Sequence, residues 1–374
     1  MIVTQSTWTE PQGWSADSSQ PSEAQLVIAT GGIDQIGKTA FFEHLRALHP
    51  KASIVSCSTA GEIAGDQVLD QSIVATAIQF EHTQLKTVCV PLSDFSSSFE
   101  CGAALQKQLL GNHLCHILLI SDGIAANGDE LVNGITENLP KEVIVTGGLA
   151  ADNGRFQETL VGANSVAKQG NVVAIGFYSQ KLTVRHGSRG GWDKFGPIRE
   201  ITRSVSNKLY ELDGEPALAI YKNYLGEKAK DLPGAALLFP LSILLENGEV
   251  LVRTILSINE EEGSMTFAGD MPAGAKVQLM LAHFDRLIDG ATAAAEDTAI
   301  GNPKPQWVFM VSCVGRKLVL SQRIDEEIEG IVEVLGPKAI YSGFYSNGEI
   351  SPLLNSNKCS LHNQTMTITT YSEH

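Results

Sequence analysis

The chain has 374 residues, more than the ~250–300 at which one hydrophobic core stops growing, so two packed domains are expected. With 43% apolar and 18% charged residues it has the composition of a globular protein, not a disordered one. A formal charge of −15, with no Lys/Arg run, argues against a general nucleic-acid surface or an anionic-membrane surface.

Residues 1–24, rich in Ser, Gln, Thr and Pro, read as an irregular lead-in. They carry neither the basic nor the apolar region of a secretory signal, and no apolar run reaches ~18 residues, so a cytoplasmic location is expected. LVIAT (26–30) reads as a buried strand and 38–48 as a helix, with Phe41, Phe42, Leu45 and Leu48 at helical spacing. ASIVSCS then supplies a second strand.

This unit recurs. Residues 31–62 align with 122–152 through one gap, placing Gly32, Ile33 and Gly37 on Gly123, Ile124 and Gly128. The same alignment puts Ile54, Val55, Ala60 and Glu62 on Ile144, Val145, Ala150 and Asp152. IVATAIQF with LKTVCVPL, and VVAIGFYS with LTVRHG, continue the two copies as strands, so the first domain reads as a pseudo-symmetric pair of strand-helix-strand units. A fainter echo runs from WVFMVSCVGRKLVL through the helical DEEIEGIVEVLG to AIYSGFYSNGEI, whose SNGEI is similar to STAGEI. ALLFPLSILLENGEVLVRTIL reads as a strand pair and KVQLMLAHFDRLIDGATAAAEDTA as a long helix. The fold class is α/β (α+β), with mixed sheets covered by helices. Domains are expected at 25–212 and 213–374, the second opening near Asp213 where the LDGEPALAIYKNYLG helix begins.

Gly32–Thr39 reads GIDQIGKT, the GxxxxGK[ST] pattern of a phosphate-cradling loop, and HILLISD offers Asp122 as its magnesium partner. The repeat opposes this reading, because Gly123 and Gly128 are followed by Asp129 and Glu130 where the first copy has Lys38 and Thr39. A P-loop nucleotide-binding protein is therefore a minor alternative. The six cysteines (Cys57, Cys89, Cys101, Cys115, Cys313 and Cys359) form no CxxC pair, which points to neither a disulfide framework nor a zinc site. Cys57 and Cys313 end apolar strands, yet no His with an orienting acid accompanies them in a partnering motif, so no enzyme is expected.

SCSTAGEI (56–63), ITRSVSNKLYELDGEPA (201–217), SCVGR with GFYSNGEISP (312–352) and HNQTMT together resemble the FIST sensor family over about residues 26–370. The resemblance implies a FIST N and a FIST C domain in a sensor of a small molecule. It also implies a partner histidine kinase or cyclic-dinucleotide enzyme, and leaves homo-oligomerisation open. RHGSRGGWDKFGP (185–197) is similar to the nitric-oxide-sensing FIST haemoproteins, which implies a non-covalent haem b.

His186 alternates with Leu182 and Val184, which places it on their apolar face and suits a ligand to haem iron. Arg185 and Arg189 would serve the propionates, and Trp192 and Phe195 would wall the pocket. On the plainer reading His186 caps a strand while the two aromatics plug the domain interface. His362 reads as bonded to backbone or as a ligand, and His283 as a core residue of its helix; His44, His49, His82, His113, His116 and His374 read as surface residues. Glu62 and Glu349 end the two GEI motifs, either bonding turn amides or, with Arg316 and His362, lining a haem-free pocket for a small polar metabolite such as an amino acid.

Overall fold

The structure, a computed structural model, describes residues 1–15, 23–232, 234–244, 248, 250–300, 304–353 and 358–374. The strand Leu26–Gly31 is buried at every position, as a strand covered on both faces must be. Its helix Thr39–Leu48 sets Phe41 and Leu45 on the sheet, and Arg46 donates to His49 O, Pro50 O and Ala52 O in the turn that leads to the next strand. The equivalent helix Gly128–Thr136 starts at Asn127, whose side chain accepts from Glu130 N and satisfies one free first-turn donor.

Strand, helix and parallel strand occur three times. Leu26–Gly31 pairs in parallel with Ser53–Ser58, Leu114–Ser121 with Ile144–Leu149, and Trp307–Cys313 with Ile340–Ser346. Each first strand has an antiparallel neighbour, Ile73–Gln79, Asn171–Tyr178 or Met366–Glu373. Outside it lies one more, Ile2–Thr9, Gln84–Pro91 or Leu182–Arg189. The chain after each second strand then crosses to another unit's sheet: Glu62–Ala64 joins Ile340–Ser346, Val161–Ala163 joins Ser53–Ser58, and Gly348–Pro352 joins Ile144–Leu149. Three six-stranded sheets are thereby linked in a ring. They share one core, in which Ile28, Val55, Leu118, Ile120, Val311, Phe344 and Tyr371 meet.

Between Leu182–Arg189 and the helix Phe284–Ala299 the chain leaves this body to build a lobe. An eight-stranded sheet drawn from residues 193–281 and the helix Ala217–Leu225 bury their own core of Ile201, Leu212, Tyr221, Ile243, Phe267 and Leu279. The chain passes between body and lobe at Gly190–Trp192 and again at Ala282–His283.

The mixed α/β class is as expected, but several details differ. Ile2–Thr9 is a full strand against Ile73–Gln79 instead of a lead-in; its inward face carries Thr4 and Ser6, so no apolar alternation marked it, and residues 16–22 lie outside the described set. KVQLML is a strand of the lobe, and the long helix starts only at Phe284, leaving His283 exposed at its N-cap. The strand pair appears as Leu241–Leu244 with Val250–Arg253, most of its connection lying outside the described residues. Body and lobe are a division of the packing, distinct from the sequence boundary expected at Asp213, which sits in a turn of the lobe; the strands that follow Phe284–Ala299 return to the body's sheets. The repeat is also one residue out of the sequence alignment, because Gly31 faces Ser58, Ser121 faces Leu149 and Ser312 faces Tyr345.

Candidate functional site: a cleft between body and lobe

In open α/β sheets, ligands lodge beyond the carboxyl ends of the parallel strands. At the ends of Leu114–Ser121 and Ile144–Leu149 the backbone folds tightly around buried Asp122, whose carboxylate accepts from Ile124 N and Ala125 N (both 2.8 Å) and Gly170 N (2.7 Å). The resulting loop, Gly123–Gly128, forms one wall of a cavity of about 510 Å³, together with Leu149, Phe156 and Asn347. The lobe supplies the facing wall through Asn207, Leu256, Thr266, Phe267 and Ala268. Among the described residues no charged side chain lines it. Asn347 is 8% exposed, and neither Nδ2 nor Oδ1 has a hydrogen-bond partner among the described residues.

The ring gives this cavity two related places in the body. Just past the second strand of each unit, one backbone N–H donates across to another unit: Ala60 N to Tyr345 O (2.8 Å), Ala151 N to Ser58 O (3.0 Å) and Asn347 N to Leu149 O (3.2 Å). Beside Ala60, Lys317 Nζ donates to Ala60 O and pairs with Asp70. Beside the first unit's Gly32 loop, Arg155 pairs with Asp34 at 2.8 Å, and only about 10 Å³ remains open. Basic side chains therefore stand at two of the notches, and the third opens into the cavity.

A buried ion pair spans the cleft next to it. Arg253 of the lobe, 3% exposed, donates from Nη2 to both carboxylate oxygens of Asp129 at 3.0 Å and from Nη1 to Leu361 O at 3.0 Å. Asp129 also accepts from Asp270 N at 2.7 Å, so one carboxylate at the start of Gly128–Thr136 ties two lobe residues to the body.

The GEI carboxylates stabilise the turns. Glu62 accepts from Thr59 Oγ1 (2.5 Å), Ser72 Oγ (2.6 Å) and Ser72 N (3.2 Å); Glu349 accepts from Ser346 Oγ (2.8 Å), Thr365 Oγ1 (2.8 Å) and Thr365 N (3.0 Å). Burial raises both, Glu349 to about 8, against the lowering effect of these donors. Neither Glu349 nor Arg316 lines the cavity. Arg316 is fully buried, bonded to Glu327 (2.7 Å), Leu287 O (2.7 Å) and Gly190 O, so it clamps the first crossing to the lobe. His362 bonds Ser351 O through Nε2, and Glu62 borders only the small notch.

Residues 25–215 match the FIST N domain and residues 217–352 the FIST C domain. The chain belongs to the FIST family. FIST domains are sensors in signalling rather than catalytic domains. No curated protein matches the chain. The cavity joins the two FIST segments, since Gly123–Gly128, Leu149, Phe156 and Asn207 come from the first match and Leu256, Thr266–Gly269 and Asn347 from the second.

The RHGSRGGW stretch of this FIST protein is the first crossing to the lobe, and its Gly187 and Gly191 are packed against neighbouring backbone. His186 sits in the strand Leu182–Arg189, whose Leu182 and Val184 enter the ring core; its Nδ1 is buried without a partner among the described residues, and burial lowers its pKa, partly offset by Asp297. Trp192 instead packs on Met280, Leu287, Val319 and Leu320 and donates to Gln364 O at 2.9 Å. Phe195 is exposed against Tyr224, Arg185 is exposed, and Arg189 is tied to Asp297 at 2.7 Å. The glycines are close-packed on a helix: a Cβ on Gly187 would come 2.1 Å from Ala294 O, and one on Gly191 2.0 Å from Arg286 O. These residues do not converge, and as arranged they do not fit a haem. Among the described residues no His/Cys/Asp/Glu cluster of three suits a metal.

Other expectations also change. The P-loop pattern makes no phosphate cradle, because Ile33–Ile36 is already a helical turn: Gln35 N and Ile36 N donate to Gly32 O, and Lys38 N donates to Gln35 O. Asp122, its proposed magnesium partner, is spent on three amides. His49 and His116 are buried rather than superficial. His116 donates from Nδ1 to Ile144 O and accepts from the Tyr371 hydroxyl (both 2.9 Å), and burial pushes it down to about 3. Cys57 and Cys313 are buried thiols raised by desolvation, which opposes a nucleophilic role. Asn347 escaped the sequence reading; the one available signal was an Asn in SNGEI where STAGEI has Ala60.

Proposed function

We propose that this FIST protein senses a small molecule held between body and lobe, and signals through their relative arrangement. The observation that carries the reading is the cavity of about 510 Å³ with one wall from each. A ligand that touches both walls binds the closed arrangement better and shifts the population toward it. Gly190–Trp192 and Ala282–His283, the two crossings, are where such a motion turns. We place the protein in the cytoplasm with a histidine kinase or cyclic-dinucleotide enzyme as its partner. In support, no helix among the described residues is long and apolar enough to cross a membrane. The test is mass spectrometry of small molecules released from the purified, denatured protein. Wild type carries one in stoichiometric amount and Ala268→Trp, which fills the cavity, carries none; equal loading of the two ends this reading.

The alternative, nitric oxide sensed through haem b on His186, draws on the unpartnered Nδ1 of that imidazole. It requires the Phe284–Ala299 helix and Trp192 to separate from the strand first. A Soret band after haem reconstitution, lost in His186→Ala, supports it; a colourless protein ends it.

A further inference from the structure

Taking the cleft as the sensing site, we infer that its ligand is a neutral molecule with a carboxamide-type edge, a C=O beside an N–H, and a flat apolar ring. Asn347 reads the edge and Phe156 covers the ring. A ligand charge enclosed without a counter-charge costs several kcal/mol by order of magnitude, and no charged side chain among the described residues lines this cavity. The nearby carboxylates are engaged: Asp122 holds three amides, and Asp129 holds Arg253 and Asp270 N. An α-ammonium group therefore finds no partner. An anion is opposed too, because Asp129 and Glu130 occupy the first turn of Gly128–Thr136 and offset the positive end of that helix.

Asn347 brings one donor group and one acceptor to a position that holds Ala60 and Ala151 in the other two units, and both are buried without a partner among the described residues. A second amide edge satisfies both at once, whereas a carboxylate or an amidinium satisfies only one. Neither Asn347 atom is accessible in the closed cleft, so the side chain turns toward the ligand while its backbone N–H stays on Leu149 O.

Phe156 stands at φ +52, a left-handed conformation that a bulky side chain rarely adopts. Asp152 holds it there by accepting from Phe156 N (2.8 Å), Gln157 N (2.7 Å) and Glu158 N (3.1 Å). The strain keeps an aromatic side chain, 37% exposed, at the cavity wall, where it offers a flat face.

Three near-isosteric probes separate the possibilities: benzamide, benzoate and benzamidinium, titrated calorimetrically into the full chain. Benzamide is expected to bind wild type about tenfold or more tighter than either ion. Asn347→Asp, which offers acceptors only, is expected to reverse the order in favour of benzamidinium. Asn347→Leu is expected to lose benzamide while keeping the wild-type circular dichroism, and Phe156→Ala to weaken all binding without changing the order. Benzoate binding as tightly as benzamide, an unchanged order in Asn347→Asp, or no binding of any probe overturns the inference. If an ion binds wild type but not Ala268→Trp, the cleft still stands as a ligand site and only the neutral-amide assignment falls.

Discussion

Asn347 and Ala60 hold the same place in two units of the ring. Each sends its backbone N–H across to a neighbouring unit, Asn347 to Leu149 O and Ala60 to Tyr345 O, but Asn347 adds a polar side chain with no partner among the described residues. A buried, unpaired amide costs about 1–3 kcal/mol. Asn347→Ala is therefore expected to stabilise the ligand-free protein, raising Tm by roughly 1–2 °C per kcal/mol gained, as read by calorimetry. A lower Tm would mean that the amide is paired after all.

The Arg253–Asp129 pair should govern how firmly the lobe is held. Removing one member of a buried pair costs about 3–5 kcal/mol, because the remaining charge is left buried without compensation. Asp129→Ala is expected to lower Tm and to speed hydrogen exchange around Arg253 and Asp270, while the ring core near Ile120 stays protected. Asp129→Ala with Arg253→Met should recover part of the loss. Uniform exchange across body and lobe would show that the pair does not control the cleft.

Glu349 predicts a pH dependence. Its folded pKa, raised to about 8 by burial, lies above the unfolded value, so between about pH 4.5 and 8 the unfolded chain gives up a proton that the folded chain keeps. Stability from this group is fully present below pH 4.5 and falls as pH rises toward 8. Glu349→Gln cannot ionise and should escape that fall. The Tm difference, variant minus wild type, is expected to grow from pH 5 to pH 8 by the equivalent of a few kcal/mol, on the order of 1.4 per pKa unit. A difference that stays flat across this range would show that Glu349 is not raised.

Packing at the first crossing is tested by Gly187→Ala. Its Cβ would lie 2.1 Å from Ala294 O, a backbone atom that cannot move without shifting the Phe284–Ala299 helix. A loss of about 3 kcal/mol or more in denaturant unfolding is expected. Gly234→Ala, with nothing within 4 Å, should stay within about 0.5 kcal/mol of wild type.

Most strand and helix positions, the repetition of a unit, and the face that His186 shares with Leu182 and Val184 are legible in the residue pattern, since periodicity is a local property set by which face meets the core. It missed Ile2–Thr9, whose inward Thr4 and Ser6 are polar. The closure of three units into a ring, the lobe formed by residues 193–281, and the set of side chains that meet at the cleft follow from long-range packing. The reason is distance along the chain: Asn347 meets Leu149, and Arg253 meets Asp129, across well over a hundred residues. Whether a buried polar group finds a partner, or a glycine-rich crossing leaves room for a cofactor, depends on neighbours that no local pattern encodes.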